Sequence, residues 1–88
     1  MSSIYNVGST VRCPEAVLYG DKNVSGTIES FRHGDNNTVF VKWSDGHEGY
    51  IKLSYLITND KYEQFEANGY KPVEIAEYLR MFNGHIYN

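Results

Sequence analysis

The apolar residues of this chain change their period once, near Thr58, and that change limits the possible folds more than any other feature. Up to Ile57 they recur in short β-type runs broken by turn clusters, and beyond Thr58 they recur at helical spacing. The 88 residues leave room for one small domain, or for one domain with an appendage. A chain of that size buries roughly 60–65% of its unfolded surface, enough for one modest core and too little for a large catalytic cleft. The expected organisation is a β unit over residues 1–57 and a helical hairpin over residues 58–88, packed together as one compact unit.

In the first half, Ser9-Thr10-Val11-Arg12-Cys13 has strand chemistry and stops at Pro14, which has no N–H to give to a ladder. Gly20-Asp21-Lys22-Asn23 reads as a loop. Ser25 to Phe31 is a second strand in which Ile28 and Phe31 are spaced by three rather than two, the mark of a bulge that bends the strand. His33-Gly34-Asp35-Asn36-Asn37 has turn composition. Thr38 to Trp43 follows, with Val39, Val41 and Trp43 on one face and Phe40 and Lys42 on the other. Ser44-Asp45-Gly46-His47 carries the Asp-Gly signal of a tight hairpin whose two central residues take positive φ. Gly49 to Leu53 is the partner strand, and Tyr55-Leu56-Ile57 makes a short last one. Four or five short strands at this spacing suit a small barrel or a curled sheet.

In the second half, Thr58-Asn59-Asp60 caps a helix over about Lys61 to Asn68, with Glu63 three residues after Asp60 as a capping box. Asn68-Gly69 stops it. Pro72 suits a first helical turn, and the second helix runs over Val73 to Phe82 until Asn83-Gly84. Its inner face is Ile75, Leu79 and Phe82, flanked by Ala76 and Tyr78, while Glu74, Glu77 and Arg80 face out. Lys or Arg recurs at 12, 22, 32, 42 and 52, but the surrounding residues do not match and no repeat is present.

Two stretches carry a resemblance. Val7-Gly8-Ser9-Thr10-Val11, Ser25-Gly26-Thr27-Ile28-Glu29-Ser30-Phe31, Val39-Phe40-Val41-Lys42-Trp43-Ser44-Asp45-Gly46 and Glu48-Gly49-Tyr50-Ile51-Lys52-Leu53-Ser54-Tyr55-Leu56 together resemble a Tudor/KOW-type SH3-like barrel over about two-thirds of the chain. The resemblance implies a mainly β fold of four to five strands, here followed by a C-terminal α-helical hairpin. Such barrels serve as readers of methylated lysine or arginine, as nucleic-acid clamps and as docking modules, and the fold does not choose among these. Residues 68–79, Asn-Gly-Tyr-Lys-Pro-Val-Glu-Ile-Ala-Glu-Tyr-Leu, are similar to the first part of a helix-turn-helix. That family then needs a recognition helix of about ten residues. Arg80 to Asn88 offers a helix stop and a single basic side chain, so a hairpin covering an open sheet edge is the favoured reading.

Charge and composition narrow the function. Lys and Arg number 8 against 11 Asp and Glu, a formal charge of −3, and both halves of the chain are faintly acidic. That disfavours general polyanion binding and is too mild for a DNA mimic. The single Cys13 excludes an intrachain disulfide, and His33, His47, His85 and Cys13 lack metal-ligand spacing, so neither a metal nor a cofactor is expected. Cys13 reads as a small buried hydrophobe. No apolar run approaches the ~20 residues of a membrane span, and Met1 to Asn6 has no signal-peptide pattern; a cytoplasmic location is the expectation. No nucleophile–base pair, carboxylate pair or phosphate loop stands at a recognisable spacing, and an Asp45, His47 and Glu48 cluster on a hairpin tip lacks walls to exclude water.

The eight tyrosines fit both a small mixed core and a contact surface, since each offers large area with a polar tip. Alternation buries Val41 and Trp43 and turns Phe40 and Lys42 outward, with Tyr50 across the hairpin. Tyr19, Trp43 and Tyr50, with Asp45 as an anionic wall, occupy the regions that form the aromatic cage of Tudor-like readers. Arg32, His33, Lys42 and Lys52 form a small basic patch if their strands are neighbours, weakened by Asp35 and Asp45. The expected partner-binding residues are thus Tyr19, Arg32, Phe40, Lys42, Trp43, Asp45, Tyr50 and Lys52. The function they suggest is a non-catalytic adaptor or inhibitor that docks on a protein, in the style of a bacterial or viral accessory protein. A nucleic-acid-binding regulator and a methylated lysine or arginine reader are the alternatives. The contact surface is the barrel end, a sheet edge or the second helix.

Overall fold

A computed structural model describes residues 5–20 and 22–87, the side chains of 82–87 excepted. Asp21 of the expected loop and the side chains of Phe82 and His85 lie outside the described residues. The strands are β1 (Thr10–Arg12), β2 (Ser25–Arg32), β3 (Asp35–Trp43), β4 (Glu48–Lys52) and β5 (Ile57–Thr58). The helices are α1 (Pro14–Leu18), α2 (Asn59–Ala67) and α3 (Pro72–Tyr87), with a 3₁₀ turn at Leu53–Tyr55. The strands form one open antiparallel sheet in the order β4-β3-β2-β1-β5, so the last strand returns beside the first and β4 and β5 are the two edges. The fold is mixed β and α, and the sheet does not close.

The bulge expected from the Ile28–Phe31 spacing is present. The β2–β3 register shifts between Ile28 and Ser30, which leaves Glu29 as the extra residue. β2 pairs β1 through Ser25 to Thr27 and pairs β3 along its length, so this one bent strand links both limbs of the sheet. Val11, Ile28, Val39 and Val41 are buried inside the curve with Cys13 and Leu56, and Trp43 packs on them from the rim. Trp43 lies across Gly26, where a Cβ would sit 2.5 Å from the indole and 2.6 Å from a Val41 methyl. Only glycine admits the ring there.

Several local expectations are corrected. β3 begins at Asp35, so His33-Gly34 alone makes the β2–β3 turn, with Gly34 at φ +79. At the β3–β4 hairpin Asp45 keeps negative φ and only Gly46 is left-handed, at +99. The Gly46 N–H donates to Trp43 O and the Trp43 N–H to His47 O, a three-residue loop with a glycine bulge rather than a two-residue turn. Tyr55 belongs to the 3₁₀ turn and β5 starts at Ile57, because Leu56 N–H bonds back to Leu53 O. Pro14 does more than end β1. It opens α1 at a position where its missing N–H costs nothing.

The cap of α2 is Thr58, whose hydroxyl accepts from Lys61 N–H; Asp60 lies inside the helix, so no box forms with Glu63. The box-like contact occurs at α3, where Lys71 N–H donates to the Glu74 carboxylate. Asn68-Gly69 stops α2 as expected, with Gly69 at φ +89. Asn83-Gly84 does not stop α3, which continues to Tyr87. The helical hairpin is joined to the sheet by a second apolar cluster of Ile57, Tyr62 and Ile75, with Phe65 and Leu79 packed against it. Ala76 is buried, whereas Tyr78 is exposed and meets the Phe65 ring at a tilt, 5.1 Å between centres. Gly26→Ala should therefore destabilise the protein by about 1–3 kcal/mol through overpacking of Trp43, read as a lowered urea midpoint at unchanged slope.

Candidate interaction surface

β2, β3 and β4 present one outer face whose composition follows from register. Phe40 stands opposite Tyr50, Lys42 opposite Glu48 and Thr38 opposite Lys52 across β3–β4, while Ser30 faces Phe40 across β2–β3. Alternation then sets Arg32, Phe40, Lys42, Tyr50 and Lys52 on the same side, away from Val39 and Val41. The Phe40 and Tyr50 rings meet edge to face at 5.2 Å, and the Arg32 guanidinium lies 5.7 Å from the Tyr50 ring centre. Tyr50 remains 60% exposed within this cluster and Phe40 is half-buried. Arg32, Lys42 and Lys52 are exposed around it. Five of the eight expected contact residues thus share one surface.

Asp35 sits at the rim of that face and offsets its charge. Its carboxyl is held below the usual 3.8, first by the Asn37 N–H, then by the Thr38 hydroxyl, with Arg32 and Lys52 assisting through space. His33 occupies the exposed turn beside Arg32.

Trp43, Asp45 and Tyr50 meet elsewhere, at a groove of about 510 Å³ between the β4 edge and the chain around Ala16 and Lys22. Tyr19 is not among the groove's lining residues; it ends α1, 77% exposed, next to the lining Gly20. Cys13 forms part of the groove floor. At the mouth the Asp45 carboxylate accepts from the His47 N–H at 3.1 Å and faces its Nδ1 at 3.0 Å. These two contacts, the ring contact foremost, hold Asp45 below the usual carboxylate value. Among the described residues, no group of three His, Cys, Asp or Glu side chains is placed to share a metal ion, and no helix is long and apolar enough to cross a membrane.

One polar node was not expected from sequence. The Arg12 guanidinium lies 4.3 Å over the Tyr62 ring and donates to Asn59 Oδ1 at 3.1 Å and to Asn23 Oδ1 at 2.7 Å. The Tyr62 hydroxyl donates to the same Asn23 oxygen at 3.1 Å, and burial foremost raises its pKa. A second tie, from Arg80 to Glu15, links α3 to α1. α1 itself carried a signal, Pro14 then Glu15 in a first helical turn. The Arg12 node carried none, since its partners lie 11 and 47 residues away.

The lowered carboxyls set an acid dependence. A depressed carboxylate stabilises the fold fully above its unfolded pKa, and the contribution disappears as pH falls through the folded value. Thermal stability should fall as pH drops below about 4. Asp35→Asn combined with Asp45→Asn should flatten that acid limb relative to the wild-type chain, as followed by circular dichroism melts across the pH range.

Comparison with protein-family models, with curated proteins and with solved structures gives no match to this chain.

Proposed function

We propose that the chain is a non-catalytic docking module whose sheet is an open form of an SH3-like barrel, and that it binds a protein through the outer face of β2, β3 and β4. The return of β5 to β1 and the bulged β2 shared by both limbs support the fold part. The observation that carries the function is the Arg32–Tyr50–Phe40 cluster, an aromatic pair with a cation at its side, whose Tyr50 ring is open to solvent. Such anchors concentrate binding energy in protein interfaces. The three cations Arg32, Lys42 and Lys52 are offset in part by Asp35 and Glu48 nearby, which favours a protein over a nucleic-acid backbone. His47 on the hairpin tip is 86% exposed, a position without the water exclusion that acid–base chemistry needs.

A second reading, a reader of methylated lysine or arginine, draws on Trp43, Tyr50 and Asp45 lining one groove. It requires affinity that depends on the methyl group.

Phe40→Ala and Tyr50→Ala should each weaken partner binding at least about tenfold while circular dichroism stays native. The measurement is retention from lysate, with and without nuclease treatment, on immobilised wild-type and variant chains, followed by titration of the retained protein. Retention that needs intact nucleic acid and falls steeply with salt would contradict the reading. Equal retention by all three chains would do so as well.

A further inference from the structure

The β4 edge has a symmetry of its own. β4 pairs only with β3, so its other edge carries no strand among the described residues and borders the groove. The bond from Trp43 N–H to His47 O marks that pair as the hydrogen-bonded kind. Such pairs alternate along an antiparallel ladder, so Gly49 and Ile51 spend their backbone groups on β3. Glu48, Tyr50 and Lys52 therefore turn their N–H and C=O groups outward, and these three residues also share the outer face.

We propose that the chain forms a two-fold dimer by antiparallel pairing of two β4 edges centred on Tyr50. In that register Tyr50 faces Tyr50 of the second copy, and every outward backbone group over Glu48–Lys52 meets a partner. Glu48 of each copy stands opposite Lys52 of the other, so opposite charges meet twice. A shift by two residues breaks this match by setting Tyr50 against a charge. On the inner face Ile51 of one copy lies opposite Gly49 of the other. The space over Gly49 is empty: a Cβ built there meets no atom within 4 Å, which leaves room for the incoming isoleucine. Edges that resist self-pairing carry like charges or proline, and this one carries neither. The dimer would join two outer faces into one sheet, with the rings of Phe40 and Tyr50 from both copies in a continuous strip.

A five-residue edge is short, so association is weak and concentration decides the state. Sedimentation equilibrium of the full chain from about 10 μM to about 1 mM should show the mass rising from 10.1 kDa towards twice that value. Lys52→Glu and Glu48→Lys should each weaken self-association at least tenfold. An equimolar mixture of the two variants should regain it as a heterodimer, because opposite charges then face again at both ends. In the wild-type chain the Tyr50 amide should exchange more slowly with deuterium as concentration rises, while the Gly49 and Ile51 amides stay unchanged. A monomer throughout the series overturns the proposal. So does association that both variants retain, or a mass increase that leaves the Tyr50 amide unaffected. The amide measurement decides the matter alone if either variant fails to fold. None of these readouts involves another protein, so they stand apart from the docking reading.

Discussion

The Arg12 guanidinium holds three separate parts of the chain at one point. It extends from β1, stacks on the wholly buried Tyr62 of α2, and bonds Asn23 of the α1–β2 connection and Asn59 at the start of α2. Each hydrogen bond from the charged guanidinium contributes about 1.5 kcal/mol, and the stack about 0.5–1 kcal/mol. The geometry matters more than the sum. With Arg12 over its ring, Tyr62 is buried in one cluster with Ile57 and Ile75, and its hydroxyl donates to Asn23. The same strand pairs with β5 through Val11 and Arg12, so backbone ladder, polar node and apolar cluster fasten one seam.

That seam explains how the sheet stays open without losing its core. The two edges, β4 and β5, are treated differently. β5 is only two residues long and leads directly into α2, whose Tyr62 packs against Ile57. β4 has no strand on its outer edge, and a groove separates it from α1 at Ala16. The limb formed by β2, β3 and β4 is consequently free to present Phe40, Tyr50 and Arg32 on a surface supported from behind by Val39 and Val41. The docking reading and the open edge both follow from where the helical hairpin is fastened.

Much of this is legible in the residues because it rests on local rules. Period two in Thr38 to Trp43 separates Val39 and Val41 from Phe40 and Lys42 correctly, since the two valines are fully buried and Lys42 is exposed. The three-residue spacing of Ile28 and Phe31 gives the bulge, because both must reach the same core. Asn68-Gly69 and Pro72 mark helix ends through backbone conformations that few other residues accept. What stays hidden is set by tertiary contact. Asp-Gly suits more than one turn, and the Gly46 bulge is chosen by how β3 and β4 meet. Asn83-Gly84 has stop chemistry, yet α3 runs through it. Trp43 and Tyr50 come together at the groove and Tyr19 does not line it, a distinction no spacing encodes.

The central claim is that sheet and helical hairpin form one cooperative structure fastened at Arg12 and Tyr62. Native-state hydrogen exchange on the full chain at low denaturant tests it directly. The account predicts that the amides of Val11 in β1, Tyr62 in α2 and Ile75 in α3 open with one free energy and one denaturant dependence, that of global unfolding. Exchange of Tyr62 and Ile75 through a cheaper opening, while Val11, Val39 and Val41 stay protected, would contradict it and make the hairpin an appendage.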